Sequence, residues 1–204
     1  VEDTTPPTIV TAAEDAVVEC DGAGNLADLQ AWLDNNGGAS ATDACGDVRW
    51  ENDFTALSDE CGMTGTALVT FTAIDDCDNE TTVEANFTIE DTENPVIDDE
   101  AEDLTLPCDA LGQDALIQAW LDDNGGASAS DDCSGTIVWT NDYDDTPALD
   151  GCGASGSKTV TFTAFDECGL TITTTAQLNV EDTTPPTIVT AAEDAVVECD
   201  GAGN

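Results

Sequence analysis

The chemistry open to this chain rests on nine cysteines and 45 carboxylates, because it has no histidine and its basic residues are Arg49 and Lys158 alone. The cysteines stand at 20, 45, 61 and 77, again at 108, 133, 152 and 168, and once more at 199. Regular sets of four indicate disulfides and an oxidising compartment. Zinc is the competing chemistry, but without His or a C-x-x-C pair the ligand spacing does not suit it. Catalysis is left with paired carboxylates. A glycosidase needs one acid raised in an apolar cleft, whereas these acids fall in polar turns, so the chain is read as a non-enzyme.

The carboxylates form two recurring sets. The first is Glu2, Asp3, Asp43, Asp75, Asp76 and Asp78, and the second is Glu90, Asp91, Asp131, Asp132, Asp166 and Glu167. If strands alternate in direction, the turn after each VTFTA stretch returns beside the incoming linker, and each set converges there. Oxygen donors in that number suit calcium, which is the expected cofactor. An ion among them would offset their repulsion and stiffen the joint. The plainer reading is that Asp is favoured in turns with or without a metal, and EF-hand spacing is absent.

Four cysteines allow three pairings, and the sequence does not choose among them. The same alternation puts Cys45, before the Trp50 strand, and Cys77, after the VTFTA strand, at one end. That favours Cys45 with Cys77, and by elimination Cys20 with Cys61. The matching pairs are Cys133 with Cys168 and Cys108 with Cys152. Loops of this size contribute roughly 3 to 4 kcal/mol each in the chain-entropy picture.

The elements that must position these groups come in repeats. VEDTTPPTIVTAAEDAVVECDGAGN at 1–25 returns letter for letter at 180–204, as expected of a stretch of a longer periodic polymer. Inside that period, DTTPPTIV at 3–10 is echoed by DTENPVID at 91–98. AWLDNNGGASATDAC at 31–45 is matched by AWLDDNGGASASDDC at 119–133, and VTFTAIDDC at 69–77 by VTFTAFDEC at 160–168. The expected division is 1–90, 91–181, and 182–204 as the opening of a third unit, too short to bury a core of its own. Cys199 is then the first cysteine of a third set.

Alternation places Val69, Phe71 and Ala73 on one strand face with Thr70 and Thr72 on the other, and Val83, Ala85, Phe87 and Ile89 likewise share a face. Trp50 and Trp139 mark a further strand in each unit, and Ile9–Val10 and Val17–Val18 two short ones. Between the short strands and the Trp strand, Leu26, Leu29, Trp32 and Leu33 recur at helical spacing and stop at Asn35, Asn36, Gly37 and Gly38. Ile117, Trp120 and Leu121 give the counterpart, with Asp114 as its expected N-cap. The fold class is therefore all-β, a tandem of immunoglobulin-like β-sandwiches each with one short helical insertion. The Trp residues are read as core filler rather than ligand platforms.

A formal charge of −43 excludes nucleic acid and anionic membrane as electrostatic partners. Such a chain repels itself, and salt or bound metal relieves it, the Debye length falling from roughly 8 Å at physiological salt to roughly 3 Å at 1 M. The apolar patterning separates it from disordered acidic tails, and no run is long enough to insert in a bilayer.

The words DTTPP, ATDAC and VTFTAIDDCDN resemble the hyalin-repeat and related immunoglobulin-like modules that bacterial surface proteins carry in tandem arrays, above all the acidic arrays of giant adhesins exported by the type IX route in Bacteroidota. The AWLDNNGG helix and the cysteine after VVE depart from the hyalin pattern. The resemblance implies an extracellular, cell-surface setting and a role in gliding, attachment or capture of other cells. Partners are then neighbouring repeats and other copies of the chain in a filament. Pro6, Pro7 and Pro95 stiffen the linkers, so the units should form a semi-rigid rod advancing on the order of 40 Å per sandwich. The alternative is a calcium-dependent module that grips a glycan or another surface multivalently. Asn79 and Asn86 stand in glycosylation sequons, and Asp3-Thr4-Thr5 resembles a short O-glycosylation signal of Bacteroidota.

Overall fold

A computed structural model describes residues 2–108, 113–144, 155–198 and 201. Two units share one order of elements. In the first, β1 (Thr8–Thr11), β2 (Ala16–Glu19), α1 (Leu26–Asp34), β3 (Ser40–Thr42), β4 (Arg49–Asn52), β5 (Gly65–Ile74) and β6 (Glu80–Glu90) follow one another. In the second, β7 (Val96–Asp99), β8 (Leu104–Pro107), α2 (Gln113–Asp122), β9 (Ser128–Ser130), β10 (Val138–Asn141), β11 (Gly156–Phe165) and β12 (Thr171–Glu181) repeat it. Each unit packs a four-stranded sheet, β2-β6-β5-β4 or β8-β12-β11-β10, with a two-stranded one, β1-β3 or β7-β9. The fold is all-β and immunoglobulin-like, with one helix per unit. The long strands pair antiparallel, Phe71 opposite Val83 and Phe162 opposite Thr174, while β2 and β8 join β6 and β12 in parallel.

The alternation read from the sequence sets the core. Val69, Phe71 and Ala73 on β5 and Ala85, Phe87 and Ile89 on β6 are buried, as are Val160, Phe162, Ala164, Ala176, Leu178 and Val180 in the second unit. Each large apolar side chain so buried contributes about 1.5–3 kcal/mol. The helices close this face. Leu29 and Leu33 are buried on α1 and Leu121 on α2, whereas Leu26 points to solvent. Trp32 meets Phe71 edge-on at 5.1 Å and Trp120 meets Phe162 at 5.2 Å. Their indole N–H groups donate to the carbonyls of Glu14 and Glu102, so both half-buried rings pack against the core with the polar edge satisfied.

The helix stop has a steric reason. Gly37 takes a left-handed φ of 63° above Phe71, where a Cβ would come within 3.1 Å of that ring, and Gly125 repeats this over Phe162. Asp114 lies within the first turn of α2 rather than at a cap.

Residues 182–198 form no strand and are exposed throughout, with Val189 at 94% and Val196 at 93% accessibility. The identical residues 3–19 contain β1 and β2. One sequence therefore has two fates, and the difference is the presence of β3 and β6 as partners. Short strands take their order from tertiary pairing more than from intrinsic preference.

Candidate metal centre at the joint between the units

Two covalent bonds cross from one unit to the other. Cys20, just after β2, is joined to Cys133, with Cα atoms 5.8 Å apart. Cys61, in the loop before β5, is joined to Cys168 after β11, with Cα atoms 5.0 Å apart. This corrects the expected pairings Cys20–Cys61 and Cys133–Cys168. It also corrects Cys45–Cys77, both of which are exposed free thiols. The physical reason is the position of each pair along the unit: Cys20 and Cys61 sit at the far end of the first unit, and Cys133 and Cys168 at the near end of the second. The shortest bridges therefore run across the joint. The expected pair Cys108–Cys152 includes Cys152, which lies outside the described residues, as does Cys199.

The joint is closed around these bonds. Cys133 is buried to 3% accessibility within the core of the first unit, beside Leu29, Phe71 and Phe87. The Met63 N–H donates to its carbonyl at 2.9 Å. Gly22 and Gly62, both at positive φ, let the second unit's backbone approach. A Cβ on Gly22 would lie 2.7 Å from the Asp132 carbonyl oxygen, and one on Gly62 would collide with that of Cys133. On the linker, the Thr92 N–H and hydroxyl donate to the two oxygens of Glu19 at 2.8 and 2.7 Å. These bonds hold the Glu19 carboxyl below its ordinary value.

Beside Cys133 lies a polar cleft lined by Glu19, Asp91, Asn94, Asp131 and Asp132. Carboxylate oxygens of Asp91 and Asp131 come within 4.8 Å of each other there. The Asp131 Oδ1 accepts the N–H groups of Cys133 and Ser134, and the Asp166 Oδ1 that of Leu170. These are the turn-forming bonds of the plainer reading. Yet Asp166 is 6% exposed, and its Oδ2, like that of Asp91, is buried with no hydrogen-bond partner. Burial pushes the Asp91 carboxyl up, and the neighbouring charges of Asp131 and Asp166 add to this. Unpaired buried anionic oxygens are costly, and a donor set of oxygens alone fits calcium. The sulfur of Cys133, being in a disulfide, is no ligand.

The first set is built differently. The Asp75 Oδ1 accepts the N–H groups of Cys77 and Asn79, and its Oδ2 takes the Asn79 side-chain amide at 2.8 Å. Bonds from Asn79, with the charge of Arg49, hold Asp75 below its ordinary value. Arg49 also pairs with Asp78 at 2.9 Å. By repeat register the second unit has Leu170 where the first has Asn79, and Val138 where it has Arg49. Both compensating groups are thus missing beside Asp166.

Of the other carboxylates expected to converge, Asp3 and Asp43 lie together beside Cys45. Glu2, Asp76, Asp78, Glu90, Asp132 and Glu167 are exposed. Alternation turns Glu90 outward at the end of β6, Asp76 accepts the Asp47 N–H, and Asp78 is held by Arg49. The sequence reading missed Glu19 and Thr92, although Glu19 directly precedes Cys20. It also missed Asn25, which is buried and accepts the Asp21 N–H while donating to the Glu19 carbonyl. That network fixes the loop presenting Cys20. Of the sequons, Asn79 uses its amide on Asp75, while Asn86 is exposed and bonded to Asp15.

No protein-family model matches the chain, and no curated protein matches it. Among solved structures, Drosophila N-cadherin EC1-4 is similar at 12% identity and a TM-score of 0.35, over 87% of this chain and 50% of that one. Human Protocadherin-24 EC1-2 is similar at 13% identity and a TM-score of 0.33, over 89% of this chain and 100% of that one. The chain thus spans about half the N-cadherin fragment. The fold assignment rests on the strand order itself. Among the described residues no helix is long and apolar enough to cross a membrane.

Proposed function

We propose that the chain is a segment of an extracellular adhesive filament or stalk, in which units 1–90 and 91–181 alternate, 182–204 opens the next, and each joint is braced covalently. The observation that carries this reading is the pair of disulfides Cys20–Cys133 and Cys61–Cys168 across one joint. Two bridges at separate points oppose both bending and twisting, which a single linker cannot do. A chain built to transmit force or hold a fixed length gains from that. The resemblance to bacterial surface arrays supplies the setting, a secreted cell-surface protein engaged in attachment, gliding or capture.

Calcium is the proposed second brace, held by Asp91, Asp131 and Asp166. The orphaned oxygens of Asp91 and Asp166 support it, because a divalent ion would supply the positive partner they lack. An ion there would offset the repulsion among these carboxylates and stiffen the joint.

Small-angle scattering of the unreduced chain, with calcium and then with excess chelator and reductant, tests the reading. An elongated particle with one fixed length is expected in calcium, broadening to a flexible pair after both treatments. The same broad distribution under all conditions would overturn it.

A further inference from the structure

The outer face of the second unit's four-stranded sheet is neutral, in a chain of formal charge −43. Alternation turns Thr161 and Thr163 of β11 outward, opposite Thr175 and Thr173 of β12, and Thr140 of the edge strand β10 continues the Thr163 row. Toward the other end the Ser157 hydroxyl donates to the Gln177 side-chain oxygen at 3.2 Å. Lys158 turns the other way, with its Nζ buried. Among the described residues of these four strands, Glu181 at the end of β12 is the one charge that points outward.

The first unit carries the same face with charge on it. There Arg49 pairs with Glu51 at 3.5 Å, Glu51 stands opposite Thr72, and Glu84 opposite Thr70. By repeat register Val138, Thr140, Thr171 and Thr175 replace Arg49, Glu51, Glu80 and Glu84. All eight residues are exposed, so the fold accepts either set, and the second unit has lost its charge at every one of these places.

We propose that this neutral face is a contact between copies of the chain, in which two rods lie side by side with the outer sheet faces of their second units together. The occupant follows from charge. A second copy is repelled by the acidic surface of the rest of the chain, and it meets least repulsion where charge has been removed. Depletion of charge is what sets the core of an interface apart from other surface. Threonine serves both needs of a sheet-on-sheet contact, with a methyl group to bury and a hydroxyl to bond across. The inference rests on the filament reading and deepens it by naming the surface through which copies associate.

The size of the face sets its strength. With strands about 4.8 Å apart and about 3.4 Å per residue, β11 and β12 with their short neighbours present roughly 450 Å². Two copies then cover about 900 Å² between them, below the ~1,200 Å² at which stable complexes begin. One contact is therefore weak, and strength comes from repetition along an array. Because the remaining surface repels, association should grow as salt shortens the Debye length, the opposite of a charge-driven contact.

The test is sedimentation of the full 204-residue chain, unreduced, in chelator, with Cys45 and Cys77 alkylated so that neither calcium nor a new disulfide joins copies. It is run over a range of concentrations at low and high sodium chloride, beside Thr140→Glu/Thr175→Glu. The parent is expected to show a reversible monomer–dimer equilibrium that tightens with salt. The double variant should dimerise more weakly by roughly tenfold or more, since like charges then face each other. Its thermal melt should match the parent's, because Glu51 and Glu84 already occupy these places in the first unit. A parent that stays monomeric at every salt and concentration, or a double variant that dimerises as tightly, would overturn the contact. So would retention of a monomeric parent on insoluble polysaccharide that the double variant loses, which would give the face to a glycan. The Cys20–Cys133 and Cys61–Cys168 peptides from the same samples report on the rod separately. Their absence would sink the rod reading, whereas their presence in a parent that does not associate would sink the lateral contact alone.

Discussion

Cys61 at the far end of the first unit is bonded to Cys168 at the near end of the second, across a sequence separation of 107. With Cys20–Cys133 it turns a proline-stiffened linker into a three-point connection. In the chain-entropy picture a closed loop of about 100 residues contributes about 4–5 kcal/mol. Replacing Cys61 and Cys168 together by Ser is therefore expected to lower unfolding stability by a few kcal/mol and to free the linker. Denaturant melts of the double variant under oxidising conditions check this. An unchanged midpoint would show that the bond adds nothing to the joint.

The close backbone approach depends on glycine. Gly22→Val places a β-branched side chain at φ 69° against the Asp132 carbonyl, so strain and collision both act. A loss of about 1–3 kcal/mol is expected, together with slower oxidation of Cys20. Gly24→Val, at φ 84° but with open space around it, is the control: it carries the backbone strain without the collision. Equal effects from both would remove the joint from the explanation.

Calcium dependence is expected to rest on one missing amide. Leu170→Asn restores beside Asp166 the group that Asn79 supplies to Asp75. The variant should melt higher than the parent in chelator and gain less on adding calcium. Asp166→Asn should likewise remove most of the calcium-induced rise. Thermal melts with calcium and with excess chelator measure both, and a calcium shift of the same size in all three proteins would contradict the assignment.

Acidity acts on the chain with two signs. Glu19, Asp21 and Asp75 are held below their ordinary values by hydrogen-bond donors. The stability they lend is complete above the ordinary carboxylate range and is lost as pH falls through their lowered values. Asp91 is raised, so without a cation its strain at neutral pH is relieved as pH falls through its raised value. In chelator the melting temperature should therefore first rise on mild acidification and then fall. In calcium only the fall should remain. A monotonic fall in chelator would contradict the placement of Asp91.

Much of the fold was legible because β5 and β6 alternate strictly, so Val69, Phe71, Phe87 and Ile89 could be assigned to one face. The helix was legible from Leu29, Trp32 and Leu33 with the NNGG stop. The cysteine pairing was not legible, because every unit carries the same set and periodicity cannot say whether Cys20 bonds within its own unit or the next. Only the spatial ends decide that. The approach of Asp91 to Asp131 follows from strand direction. The contrast between the two sets lay in Leu170 for Asn79 and Val138 for Arg49, a difference visible in the repeats but without meaning until Asp75 and Asp166 were seen to be buried. Glu2, Asp76 and Glu90 failed to join because side-chain direction, not sequence proximity, governs convergence.

The two copies of one sequence offer a further check. Amide exchange should be slow at residues 8–11 and 16–19 and fast at 187–190 and 195–198. Peptides reaching past residue 26 or back before residue 180 distinguish the copies. Equal protection would mean that β1 and β2 hold their structure without β3 and β6.

Disulfide mapping of the unreduced, alkylated chain tests the covalent joint most directly. Peptides linking Cys20 to Cys133 and Cys61 to Cys168 are expected, with Cys45 and Cys77 free in the 204-residue chain. Peptides linking Cys20 to Cys61 and Cys133 to Cys168 would contradict the joint and the rod built on it.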